Sequence, residues 1–131
     1  MNMNQVTIPS TDLARSSEFY RHLGLTQIVD SIPRYARFEC PGGSTLSLHR
    51  VDRVDPETGF VIYFECANLD EKVDELRQQG VEFESGPRDE SWLWREARLR
   101  DPDGNVVCLF YAGENRRYPP WRVDVSDLGS G

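Results

Sequence analysis

The spacing of apolar residues changes several times along the chain, and each change marks an element. In "QVTIPS", residues 5–10, Val6 and Ile8 alternate with polar neighbours, as in a half-buried strand. Pro9 places this segment at a strand end or a sheet edge, because proline donates nothing to a ladder. "STDLARSSEFYRHLGL" then switches to helical spacing. Leu13, Ser17, Tyr20 and Leu23 share one stripe, with Phe19 beside it. Asp12 is placed to cap this helix and Gly24 to stop it. Strand alternation returns over 26–30 and 34–40, "CPGGS" makes a turn, and "TLSLHRV" at 45–51 is the next strand. "DRVDPETG", residues 52–59, mixes Pro, Gly and charge and reads as a linker.

The pattern then starts again. "FVIYFECANLDEKVDELRQQGVEF" reads as a strand, a helix and a strand, with Leu69, Val73 and Leu76 on the buried stripe and Gly80 as the stop. Matching Gly24 to Gly80 gives an offset of 56, which carries Val6 onto Ile62, Ile8 onto Phe64, Leu13 onto Leu69 and Tyr20 onto Leu76. Strands near 92–100 and 105–111 complete the second set, joined by the turn "DPDGN". Pro102 and Gly104 are expected to supply the turn geometry there, and Asp101, Asp103 and Asn105 are of the types that can bond nearby backbone N–H groups. The chain is therefore predicted to hold two β-α-β-β-β modules, about 5–51 and about 60–112, within a single domain over 1–131. In the tail, 113–131, Pro119 and Pro120 exclude a helix or a central strand. Tyr118 and Trp121 are left to lie on the domain or on a partner.

Composition narrows the function. A chain of 131 residues has room for one real core. Its formal net charge of −7 repels nucleic acid and anionic lipid, so neither is expected as a partner; cationic ligands are favoured, weakly. No apolar run approaches the ~18 residues of a membrane span, and "MNMNQVTIPS" has no secretory pattern. The three cysteines, Cys40, Cys66 and Cys108, are an odd number without a CxxC pair. Free thiols and a cytoplasmic location are the expectation.

"TDLARSSEFYRHLGL" and "RDPDGNVVCLFY", framing the repeated unit, resemble the vicinal oxygen chelate superfamily, the glyoxalase, bleomycin-resistance and extradiol-dioxygenase group. The resemblance covers roughly residues 5–112. It implies an α+β fold in which the modules form a curved sheet around a cleft with helices outside, and a homodimer. It assigns activity poorly, because one fold hosts many chemistries. The metal-dependent members hold a divalent ion on four strand positions, which fall here on Gln5, Ser47, Val61 and Cys108. Val61 has no donor atom, Ser47 is a poor neutral ligand, Gln5 is a weak oxygen donor, and Cys108 lacks His or carboxylate company. No metal or other cofactor is expected. A set of His49, Glu65 and Cys108 is the alternative, reached by a register change.

Cys108 is expected to face the cleft as a small hydrophobe unless a base lowers its pKa. His22, on the first helix, offers no such base. Trp92 and Trp94 are predicted on one strand face, suited to stacking or to packing. Tyr63, Phe110 and His49 complete the candidate ligand-binding set. Arg98 and Arg100 share the tryptophans' face, to hold an anion or to pair with Glu; Arg37 also sits in a predicted strand. The reading favoured is a metal-free small-molecule binding protein taking an aromatic or cationic compound, such as an antibiotic. A metal-dependent lyase, isomerase or dioxygenase with an unusual ligand set is the alternative, and a structural dimer with a self-filled cleft is the third. Whether the chain is an enzyme stays open.

Overall fold

The computed structural model describes residues 1–129. Its elements repeat in order. Strand β1 (Gln5–Ser10), helix α1 (Leu13–His22) and strands β2 (Thr26–Ser31), β3 (Tyr35–Glu39) and β4 (Thr45–Arg50) come first. Strand β5 (Val61–Glu65), helix α2 (Leu69–Gln78) and strands β6 (Ser85–Asp89), β7 (Arg95–Arg100) and β8 (Val106–Tyr111) follow. A short helix α3 (Glu114–Arg117) and a 3-10 turn (Val125–Asp127) end the described chain. The strands make two four-stranded sheets of matching order, β1-β4-β3-β2 and β5-β8-β7-β6. In the first, β1 pairs β4 in parallel while β2–β3 and β3–β4 are antiparallel. The α+β class and the doubled β-α-β-β-β order are those predicted.

The offset of 56 holds at the start of each module, carrying Gln5 onto Val61 and Leu13 onto Leu69. It then widens, because three residues separate α1 from β2 but six separate α2 from β6. The strand expected directly after α2, at "VEF", is therefore corrected: Val81–Phe83 is irregular and β6 begins at Ser85. The strand expected to start near 92 is corrected too. Residues 90–94 form the β6–β7 turn, closed by Glu90 N–H to Trp94 C=O at 2.8 Å and Leu93 N–H to Glu90 C=O at 3.1 Å. Leu93 sits at φ 68°, in the left-handed region, and a strand cannot pass through it.

The described chain clusters into two compact units, residues 1–62 with 99–107 and residues 63–98 with 108–129. In the first, Asp12 caps α1 through Arg15 N–H, and α1 packs on β2, β3 and β4. Ile8, Leu13, Tyr20, Leu25, Ala36, Phe38, Leu46 and Leu48 are its buried apolar residues, with Leu99 and Val107. Residues 99–107 belong with it because the "DPDGN" turn is bonded to β1 and α1. The Tyr20 hydroxyl donates to Asp101 Oδ2 at 2.7 Å, Asn105 Nδ2 donates to Pro9 C=O at 3.2 Å, and Thr11 N–H donates to Asp103 Oδ1 at 3.0 Å. The turn is thus more than local geometry. Burial pushes the Asp101 carboxyl up, against its bonds from Asn105 and Tyr20. Burial also pushes Asp103 up, but donors on Thr11, Ser10 and Ser16 outweigh it and hold the carboxyl below its usual range. In the second unit Leu69, Val73 and Leu76 are buried on α2, which packs on β6, and Ala97, Cys108, Leu109, Phe110 and Ala112 are buried with them.

Candidate functional site

Alternation along β5, β7 and β8 sends Tyr63, Glu96, Arg98, Cys108 and Phe110 to one face of the second sheet. In the second unit these side chains meet. Trp94 stacks on Phe110 with centroids 4.7 Å apart and planes at 23°. Tyr63 stands edge-on to both, at 5.7 Å from Trp94 and 5.5 Å from Phe110. Beside them lies Glu96, only 3% exposed. Its carboxylate accepts from the Trp92 indole N–H at 2.6 Å, from the Cys108 thiol at 3.5 Å and from Arg98 Nη2 at 3.5 Å. Arg98 also donates to the Tyr63 hydroxyl at 3.4 Å. A buried carboxylate needs such donors to hold its charge. The Cys108 thiol is pushed up to about 12, by burial first and then by the Glu96 carboxylate, with Arg98 pulling the other way. It is a protonated donor at neutral pH, not a nucleophile. Tyr63 and Trp92 keep about two-fifths of their surface exposed.

In the first unit the face of the sheet opposite the α1-packed residues is polar. Gln5 Nε2 donates to Ser47 Oγ at 2.9 Å, Ser47 Oγ and Tyr35 Oη lie 2.6 Å apart, and Arg37 Nε donates to Tyr35 Oη at 2.9 Å. His49 is exposed on the same strand as Ser47, paired in register with Tyr35. It belongs to the first unit, whereas the aromatic group belongs to the second.

The four positions that the resemblance assigns to a metal do not fit one. Val61 has no donor atom. Ser47 is fully buried, and its hydroxyl is engaged by Gln5 and Tyr35. Gln5 spends its amide N–H groups on Ser47, Thr7 and Val6, and its oxygen accepts from Thr45. Cys108 holds its proton. Among the described residues no three His, Cys, Asp or Glu side chains gather as ligands would. In the alternative set, Glu65 Oε2 accepts from Ala112 N–H at 2.9 Å and Gly113 N–H at 3.0 Å, which commits that carboxylate to the end of β8.

Of the predicted site residues, Tyr63, Trp94 and Phe110 come together, and Trp92 and Cys108 meet on Glu96. The tryptophans do so from a turn and not from a strand face, so their shared-face reading is corrected: one indole reaches Glu96 and the other Phe110. Arg98 does join Trp92, through Glu96. Arg100 instead donates to Gly104 C=O at 2.9 Å and Pro56 C=O at 3.3 Å. Sequence reasoning missed Glu96. Its signal was present in "REARLR", where a lone acid alternates with arginines in strand spacing. An open depression lined by Gly24, Thr26, Glu39, Cys40, Pro41 and Gly43 contains none of the predicted residues.

A doubled β-α-β-β-β order, two sheets of matching strand order and the bonded "DPDGN" turn define a protein class. Residues 2–109 match the Glyoxalase/Bleomycin resistance protein/Dioxygenase superfamily, and the chain belongs to it. The uncharacterized protein YraH of Bacillus subtilis (strain 168) is 28% identical over 127 residues, covering 84% of this chain and 98% of its own. A glyoxalase/bleomycin resistance protein/dioxygenase from Nocardioides superposes with a TM-score of 0.73 at 25% identity, over 95% of this chain and 90% of its own. A bleomycin-binding protein solved with bleomycin superposes with a TM-score of 0.68 at 22% identity, over 85% of this chain and 98% of its own.

Proposed function

We propose that this chain is a metal-free small-molecule binding protein that takes a planar aromatic or cationic compound on Tyr63, Trp92 and Trp94. One observation carries the reading: exposed rings of Tyr63 and Trp92 border the Trp94–Phe110 stack and a buried Glu96 carboxylate. Ring faces attract flat ligands and cations alike, and the net charge of −7 favours a cation at long range. Cys108 serves as a donor to Glu96, and His49 is not needed for the aromatic group. The donor chemistry of Gln5, Ser47, Val61 and Cys108 supports the absence of a metal. The free state of Cys40, Cys66 and Cys108 supports a cytoplasmic, reducing location. The family resemblance supports a homodimer.

A superposed neighbour that holds bleomycin recommends bleomycin-like and intercalating compounds as the first panel. Saturable quenching of tryptophan fluorescence by one of them is expected, weakened about tenfold or more by Tyr63→Ala, since an aromatic contact and its buried area are worth about 1.5 kcal/mol or more. A flat response across the panel would end this reading.

A further inference from the structure

The first unit holds a second candidate site, built from residues other than those of the aromatic group. Arg37 lies on β3, an inner strand of the first sheet, opposite Ser47 on β4 in register. Among the described residues no carboxylate pairs with it; its partners are the Tyr35 hydroxyl at 2.9 Å and the Tyr35 ring, 5.4 Å below the guanidinium carbon. A half-buried guanidinium without an acid, in a chain of net charge −7, is the unusual feature. The Nε–H is spent on Tyr35, which leaves the two terminal nitrogens as a fork.

The hydroxyls can be assigned by satisfying them in turn. Ser47 is fully buried and accepts from Gln5 Nε2 at 2.9 Å, so a Ser47 proton not given to Tyr35 would be stranded. Ser47 therefore donates to Tyr35 Oη at 2.6 Å, and Tyr35 accepts from both Ser47 and Arg37. Its own proton is left over, on a half-exposed ring. A phenol that accepts two hydrogen bonds, one of them from a cation, is a stronger donor than usual.

We infer that Arg37 and Tyr35 form a carboxylate-binding subsite on the polar face of the first sheet. The Arg37 terminal nitrogens would take one carboxylate in a fork, and the Tyr35 hydroxyl would donate to it as well. A planar, singly charged carboxylate matches a guanidinium edge. Ser47 and Gln5 are positioning residues that hold the phenol.

The test titrates benzoate, and separately inorganic phosphate, into the full chain at low ionic strength. It follows the Arg37 Nε–H NMR signal and the melting temperature. A saturable benzoate response is expected, stronger than that of phosphate and abolished by Arg37→Gln. Tyr35→Phe keeps the ring under Arg37 and is expected to weaken binding about tenfold, the worth of one hydrogen bond to a charged group. Arg37→Lys keeps the charge but loses the fork, and should weaken it at least as much. No saturable benzoate response, a response that survives Arg37→Gln, or a preference for phosphate each overturns the inference. Tryptophan quenching, read in a Trp121→Phe background, reports on Trp92 and Trp94, and this signal reports on Arg37, so the two proposals fail separately.

Discussion

Cys108 shows how the same side chain changes meaning with its neighbours. As a lone thiol in a strand it is open to several roles. Placed 3.5 Å from a buried carboxylate, with its pKa pushed up to about 12, it is a donor and a filler. Alkylation at mildly alkaline pH is therefore expected to label the half-buried Cys40 and Cys66 before Cys108 in the folded chain, as mass spectrometry would show. Equal labelling of all three would contradict the buried assignment. Two tyrosines make a matching pair. The Tyr20 phenol is held well above its ordinary value, by burial first and then by Asp101, whereas Tyr35 is held below it, by Ser47 first. Near-ultraviolet titration should show Tyr35 ionising early, a step lost in Tyr35→Phe, and Tyr20 ionising only as the chain unfolds. The signs follow from linkage. Tyr20's contribution is full below the unfolded phenol value near 10 and is lost as pH rises past it. Tyr35's is present above that value and is lost as pH falls through its folded pKa.

At the scale of elements, the turns decide where strands begin. The β6–β7 turn forces Leu93 to φ 68°, at a cost of about 1 kcal/mol for a residue with a Cβ. Leu93→Gly is expected to be neutral or slightly stabilising in denaturant melts; a loss above ~1 kcal/mol would mean that the exposed leucine packs more than its surface suggests. The "DPDGN" turn behaves in the opposite way. Gly104 sits at φ +88°, and a Cβ there would come within 3.3 Å of Pro56, so Gly104→Ala should destabilise. Asp103→Ala removes the acceptor for Thr11 and Ser16 and is expected to cost about 1–3 kcal/mol. Helix α1 and strands β1 to β4 were legible in sequence because stripe, cap and stop agreed. Strand β6 was not, since "SGPRD" has no alternation of apolar residues. Its place is set by pairing with β7, including Arg88 opposite Glu96.

For the molecule as a whole, metal and assembly are the properties to measure. Protein purified without chelator is expected to carry no stoichiometric metal, and its melting temperature to stay fixed as nickel, zinc, manganese or iron(II) is added. A shift that grows with metal concentration would mean a site linked to folding and would refute the metal-free proposal. Sedimentation should give two chains per particle if the homodimer proposal holds, and a monomer at every concentration would retire it. The tail bears on this, since Tyr118, Trp121, Val123, Val125 and Leu128 are each more than half exposed. No helix among the described residues is long and apolar enough to cross a membrane.

The sequence by itself determined the repeat, the α+β class, the cap of α1 and the glycine stops of α1 and α2, and it placed side chains of poor metal chemistry at the positions the family resemblance assigns, Gln5, Ser47, Val61 and Cys108. These are properties of spacing and of side-chain type, which the chain carries locally. Only the tertiary structure decided what stands beside what. It put the buried Glu96 against Cys108, Trp92 and Arg98, moved both tryptophans from a strand face into a turn, and gave Arg37 a phenol in place of a carboxylate. Glu96 meets Cys108 because β7 lies beside β8 in the sheet, and Trp92 reaches Glu96 because the turn between them passes through Leu93, whose left-handed backbone no apolar pattern announces.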